Sequence, residues 1–398
     1  MNPQRPLACV IGDMDLVRPL ALAGIRCAVV APPGAASRYS RFTQVVLPWA
    51  DPWERGEELV EILVRFGAAQ PEPPVLFYQQ DRDLLLVSRH RERLAQVFRF
   101  VIPDATLVEE LVDKARFQEL AQRVGLPVPP ARVLHPNRGL TADELDLRFP
   151  IVVKPLLRRT AHWEPVGGLG KAIRVDTAAA LAKLLPRLRA AGMPLIAQEL
   201  VPGPETRIES YHVYVDRQGV PVGEFAGQKI RTNPAEYGHS TALRITNSGD
   251  VIALGRVLAA RLGLRGVAKF DFKRDPRGEL HLLEINPRFT LWNHPGALAG
   301  VNLPALVYRD LVGLPREAAA RRSGVRWCKL WEDWGAARAA GVSLVRWLPW
   351  AMGCEAKRII AWDDPLPFVC ATLWELRHRV RSVQLSVAAM VPLTMMSA

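Results

Sequence analysis

The 398-residue chain is 49% hydrophobic, 23% charged and 7% aromatic, an ordinary globular mixture that excludes a mostly disordered or collagen-like protein and leaves room for two or three domains. Its five cysteines, at 9, 27, 328, 354 and 370, form no CxxC pair, which excludes a zinc ribbon or disulfide scaffold and fits a reducing cytoplasm. The formal net charge of +12 suits an anionic partner but is carried almost entirely by arginine, so the few lysines become candidates for sites that need a compact ammonium.

In chain order, the N-terminus lacks the apolar core of a signal peptide, and no stretch supplies the roughly 18–20 apolar residues of a spanning helix. Residues 7–12 read as a strand, 16–24 as a helix and 28–31 as a second strand, a βαβ unit. Its turn, Gly12-Asp13-Met14-Asp15, is not the GxGxxG of dinucleotide sites. Strands at 45–47, 75–78 and 98–102 and helices at 54–66 and 83–95 complete an α/β domain with a parallel sheet over residues 1–106. Residues 107–125 read as one helix, stopped by Gly125 before a linker carrying Pro127, Pro129 and Pro130. Beyond it the pattern predicts strands at 151–153, 171–175 and 194–198, a glycine loop at 167–170 and a helix at 177–191. Alternating segments at 210–215 and 222–230 point to an antiparallel sheet. A helix at 250–262 and strands at 267–273 and 280–285, joined by the turn 275–278, follow.

The segment 267–288 carries the chemistry. Residues two apart on a strand share a face, so Glu284 and Asn286 project together while Leu283 and Ile285 turn inward. Asp271 sits on the paired strand. Two carboxylates and an amide oxygen form an all-oxygen set that suits Mg²⁺ rather than zinc. The competing reading is that these residues only end two strands and cap a turn.

These residues resemble the ATP-grasp superfamily, in its carboxylate–amine ligase-like, carbamoyl-phosphate-synthase-like branch, with the densest motifs between 113 and 314. The resemblance implies that Asp271, Glu284 and Asn286 hold two magnesium ions, with manganese as a possible substitute, and that Arg288 meets the reactive phosphate. Asp271 stands where the family more usually has Glu. Lys154, in Ile151-Val152-Val153-Lys154-Pro155, looks like the strand lysine on the ATP phosphates. Lys114 resembles the earlier nucleotide-contacting lysine at a helix start, and Lys171 follows the glycine loop as a third ammonium. The run 198–203 resembles the hinge between two lobes, implying that the Glu199 carbonyl and Val201 backbone meet the adenine edge, with Glu205 on the ribose and Glu209 as second choice. Lys229 and Arg231, two apart, would face the phosphate and acyl-acceptor region; an exposed basic strand is the alternative. Trp292 and His294, within 289–300, are candidates for the acceptor pocket.

Competing motifs fail. Pro165 and Ala172 break the Walker pattern, no GxSxG occurs, and no histidine spacing suits a metal. No RNP, zinc-finger or clear helix-turn-helix pattern argues for nucleic acid. Residues 315–398 form a Trp-rich extension. Arg377, Arg379 and Arg381 precede an uncharged stretch, 382–398, read either as a helix packed on the body or as an anchor beside anionic lipid, useful for a glycan- or lipid-linked acceptor.

The expected architecture is therefore an α/β protein: an N-terminal parallel-sheet (pre-ATP-grasp) domain at 1–106, a two-lobed ATP-grasp α+β domain at 107–314 with lobes at about 107–192 and 193–314, and the C-terminal extension. The expected activity is an ATP- and Mg²⁺-dependent, cytoplasmic ligase joining a small-molecule carboxylate to an amine through an acyl phosphate. Alternatives are a bicarbonate-using carboligase working through carboxyphosphate, or a nucleotide-binding module without catalysis.

Overall fold

The structure, a computed structural model, describes residues 5–134, 145–157, 160–316 and 320–390. Strands β1 (Ala8–Ile11), β2 (Cys27–Val30), β3 (Thr43–Leu47) and β4 (Val75–Tyr78) form a parallel sheet in the order β3-β2-β1-β4. β1, β2 and β4 are buried along their whole length. That is why they read as continuous apolar runs, the signature of a parallel sheet covered on both faces. The strand predicted at 98–102 contributes a single parallel bridge, Val75 to Arg99.

Two predicted helices are broken. Residues 83–95 form the helices Asp81–Arg89 and Arg91–Ala95. The helix predicted at 107–125 divides into Ala105–Val112 and Lys114–Val124 at Asp113, whose backbone is extended and whose carboxylate accepts from the N–H groups of Ala115 and Arg116. An aspartate in that role starts a new helix rather than continuing the old one, and it sets Lys114 at the first helical position.

A second sheet holds β5 (Ala131–Leu134), β6 (Ile151–Pro155), β7 (Ile173–Val175) and β8 (Leu195–Glu199), antiparallel in the order β5-β8-β6-β7. β5 lies just beyond the prolines that read as linker, where Pro130 supplies a carbonyl to the Glu199 amide. A helix, Thr160–Gly167, precedes the glycine turn, and the following strand begins at Ile173, two residues later than the pattern predicts.

The third sheet is the largest: β9 (Ile208–Val215), β10 (Pro221–Asn233), β11 (His239–Thr246), β12 (Gly266–Arg274), β13 (Leu280–Asn286), β14 (Arg326–Cys328) and β15 (Ala356–Lys357), in the order β13-β12-β9-β10-β11-β14-β15. All its pairings are antiparallel except β14 with β15. Every residue of β9 is buried. The helix Gly249–Arg261 packs on it so closely that a Cβ on Gly255 would stand 2.2 Å from the Tyr211 ring.

The Trp-rich extension is built into this sheet through β14 and β15. Asp333, fully buried, anchors it: its carboxylate accepts from Arg231 (2.8 and 2.6 Å), the Thr241 hydroxyl (2.9 Å) and the Trp347 indole (2.8 Å). At its far end the extension is clamped to the N-terminal sheet by Asp363 with Arg18 (3.0 Å) and Asp364 with Ser40 and the Arg41 amide. No described helix is long and apolar enough to cross a membrane. Residues 382–390 continue the helix Leu366–Met390, and 391–398 lie outside the described residues.

Candidate active site

The register of β12 and β13 sets Asp271 directly opposite Glu284, and Lys269 opposite Asn286. Asp271 is 3% exposed, pairs with the Lys269 ammonium and accepts from Ser210 on β9. Glu284 is different: 49% of its side chain is accessible, and it reaches into an open cleft. The Asn286 amide donates to Glu284 Oε1 (3.1 Å), and its Oδ1 accepts from Arg288 Nη2 (3.1 Å). Arg288 then reaches the N-terminal unit, pairing with Asp81 and donating to the Gln79 carbonyl (3.0 Å).

The cleft measures about 790 Å³ and lies where the three sheets meet. Its walls carry Lys114, Lys154, Lys171, Lys229, Lys269 and Lys329, six of the nine lysines in the chain, together with Glu284, Asn286 and Arg288. Gathering ammonium groups around one volume costs electrostatic energy unless a polyanion occupies it. The individual groups register that cost. Burial and the Lys114 charge push Lys154 down to about 8. Burial and the charges of Lys229 and Lys269 push Lys171 down to about 7. Crowding by the cleft walls works to raise Glu284, but the ammonium groups of Lys269 and Lys171 hold it well below the usual carboxylate range.

Local structure aims these lysines. Lys154, on β6, donates to Gln198 Oε1 on β8 (2.9 Å), and Lys114 donates to the Leu156 carbonyl (3.0 Å). Lys171 sits in the turn before β7, held by its own amide to the Tyr237 carbonyl (2.8 Å) and by the buried Trp163 indole to the Gly170 carbonyl (2.7 Å).

Several sequence-predicted residues lie elsewhere. Arg231 does not share a face with Lys229: the β10–β11 register shifts between them. A bulge of this kind re-aims the following side chain, which instead grips Asp333 and stacks 4.1 Å over Trp350. Glu205 lies between Lys229 (4.0 Å) and Lys273 (3.8 Å), and Glu209 is taken by Arg274 and Ser248 (2.7 Å each). The Glu199 carboxylate is held by Arg148 (2.8 Å), and Val201 is buried. None of these lines the cleft. His294 also stands away from it, 5% exposed, with burial holding its imidazole neutral at about 3. Trp292 does line the cleft, but as an apolar wall tilted 5.0 Å from His212.

Lys269 was not singled out from the sequence, although its position two residues before Asp271 gives it the same face. Gln79, Asp81, Lys329 and Arg358 carried no local signal, since each comes from an element remote in the chain.

A family model described as "ATP-grasp in the biosynthetic pathway with Ter operon" matches residues 222–330. A D-aspartate ligase of Enterococcus faecium is 26% identical over 291 residues, 70% of this chain and 68% of the relative. A D-alanine--D-alanine ligase of Neisseria meningitidis is 28% identical over 184 residues, 44% of this chain and 57% of that relative. Among solved structures, the ADP complex of an N5-carboxyaminoimidazole ribonucleotide synthetase superposes with a TM-score of 0.62 at 18% identity, covering 82% of this chain and 81% of the other. An L-amino acid ligase from Bacillus licheniformis gives 0.58 at 16%, covering 78% and 75%.

Proposed function

We infer that this member of the ATP-grasp superfamily is an ATP- and Mg²⁺-dependent ligase that activates a carboxylate as an acyl phosphate and joins it to an amine. The observation that carries the reading is the convergence of six lysines on one cleft beside the facing pair Asp271 and Glu284. A nucleoside triphosphate with its metal meets both requirements at once: its phosphates take the ammonium groups and its cation takes the oxygens.

The donor set fits a hard divalent cation, being all oxygen. Glu284 is open to the cleft, Asn286 is adjacent and Asp271 stands behind them, shared with Lys269. Those three residues would hold the metal, which supplies charge neutralisation and orientation of the triphosphate. The remaining work falls to the chain. Lys114, Lys154, Lys171 and Lys229 hold phosphate oxygens, and Arg288 stabilises the phosphoryl group in transfer.

A substrate carboxylate oxygen attacks the terminal phosphorus, and the bond to the bridging oxygen breaks to release ADP. The amine nitrogen then attacks the acyl carbon, the carbon–oxygen bond to phosphate breaks, and the nitrogen loses its proton to a base. Water would destroy the acyl phosphate, so closure of the lobes around the cleft belongs to the mechanism. A reducing cytoplasm suits the five unpaired cysteines.

Phosphate release measured over a panel of carboxylates and amines tests this reading. Release that needs both a carboxylate and an amine supports it; release with bicarbonate alone favours the carboligase; nucleotide binding with no release under any combination favours a module without catalysis.

The extension supports a second, peripheral role, contact with an anionic membrane surface. Val345, Leu348 and Met352 form one exposed helical stripe; Leu366, Val369, Leu373 and Leu376 form another, ending beside Arg377, and Trp362 is 94% exposed. Flotation with anionic but not neutral vesicles at physiological salt is the expected result; no flotation removes this role.

A further inference from the structure

The Trp-rich extension returns to the N-terminal sheet as the helix Leu366–Met390, and this helix has two contrasting faces. The inner face covers the end of the cleft bounded by the N-terminal sheet. Ala371, Trp374 and Glu375 line the cleft there, with Pro32, Pro33 and Gly34 from the turn after β2. Trp374 lies so tightly over Gly34 that a Cβ there would stand 2.2 Å from the indole, and Ala371 joins the hydrophobic core. The outer face carries Leu366, Val369, Leu373 and Leu376, each about half exposed. Their spacing of three and four residues sets them on one stripe.

The polar anchors of this helix stand at its start. Asp363 pairs with Arg18 (3.0 Å), and Asp364 accepts from the Ser40 hydroxyl (2.5 Å) and the Arg41 amide (3.1 Å). Downstream it is seated by apolar contact, through Trp374 and Ala371. A helix tied at one end and seated by apolar contact along its length has the build of a hinged element.

Charge identifies what the outer face meets. From Leu366 onward the sequence holds three arginines, at 377, 379 and 381, and one acidic residue, Glu375, which lines the cleft. An exposed apolar stripe followed directly by arginines fits an anionic bilayer.

We propose that this helix is a lid over one end of the cleft and that contact with an anionic bilayer opens it. A surface shifts such an equilibrium only by binding the lifted form more tightly than the docked one. The docked helix offers the four-residue stripe. The lifted helix adds Trp374, which flanks the stripe and belongs to the residue type that favours the membrane–water interface. Lifting also uncovers Lys329 and Arg358, which line the same cleft; in the docked form the Glu375 charge acts on Arg358. Closed, the lid keeps water from the reacting centre; open, it admits substrate at the membrane surface. The proposal rests on the membrane-contact reading above and adds to it a coupling between that surface and the cleft.

The test is acetylation of lysines in the full chain, followed site by site by peptide mass spectrometry, with and without vesicles of phosphatidylcholine mixed with phosphatidylglycerol. Lys329 reports the lidded cleft, and the exposed Lys183 on the helix Ala178–Ala191 serves as the internal reference. A minor open state holds at most roughly 10% of molecules, so the mixed vesicles should speed Lys329 relative to Lys183 about tenfold or more, and phosphatidylcholine alone should not. Trp374→Ala should give the fast rate without vesicles. Leu373→Ser combined with Leu376→Ser should keep the slow rate in their presence. The unsubstituted chain alone decides the matter if either variant misfolds. Flotation with no acceleration of Lys329, or a vesicle-free Lys329 rate already equal to that of Trp374→Ala, would overturn the lid and leave the surface contact standing. Absence of flotation would remove the surface reading itself, and the lid proposal with it.

Discussion

Arg288, two residues beyond β13, donates to the backbone carbonyl of Gln79 at 3.0 Å. The arginine assigned to the transferring phosphoryl group is thus held from the N-terminal unit, and Asp81 beside it pairs with its Nε. Asp81 is accordingly a positioning residue. Asp81→Asn should lower kcat about tenfold with a smaller change in the KM for ATP, whereas Arg288→Ala should lose about 10²–10³ in kcat. Steady-state ADP release separates the two, and a change confined to KM in Asp81→Asn would count against positioning.

Glu284→Ala should abolish ATP-dependent turnover, a loss of at least about 10²-fold for a group that neutralises charge at the reacting phosphate. Because half of the side chain is already accessible, the fold should survive, as read by circular dichroism and thermal melting.

Arg231→Ala should act on stability instead. Its removal leaves the fully buried Asp333 with only Thr241 and Trp347 as partners, and breaking a buried ion pair costs about 3–5 kcal/mol. Denaturant unfolding checks the loss, and the KM values of the folded fraction should be unchanged.

The ATP dependence on pH should report Lys154. Its folded-state value of about 8 lies below that of a free lysine, so the ammonium is present below that pH and is lost above it. The kcat/KM for ATP should fall as pH rises through about 7 to 8, Lys171 losing its charge before Lys154, and Lys154→Arg, which stays charged, should remove the upper part of that fall.

What the sequence made legible followed from short-range periodicity. Glu284 and Asn286 share a face by the two-residue repeat on one strand, but it is a bulge at Leu283, which also leaves Leu282 rather than Leu283 buried, that sets Glu284 opposite Asp271 across the tight turn. The same rule failed at Arg231, because the β10 bulge is set by pairing with β11 and leaves no mark on the spacing. It failed differently at Asp113, where a cap inside an apolar-periodic run looks like one more polar position of a single helix. The far wall of the cleft was invisible for a third reason: Asp15, Gln79, Lys329 and Arg358 meet there only through the packing of the sheets and the extension. The scarcity of lysine in an arginine-rich chain did point to the cleft, since six of the nine line it.

The most direct measurement is a crystal structure with Mg²⁺ and a non-hydrolysable ATP analogue. The expected result is a cation bound by Glu284, Asn286 and Asp271, with the phosphates ringed by Lys154, Lys171 and Lys229. A nucleotide seated outside this cleft, or phosphates within it and no cation at Glu284, would contradict the account.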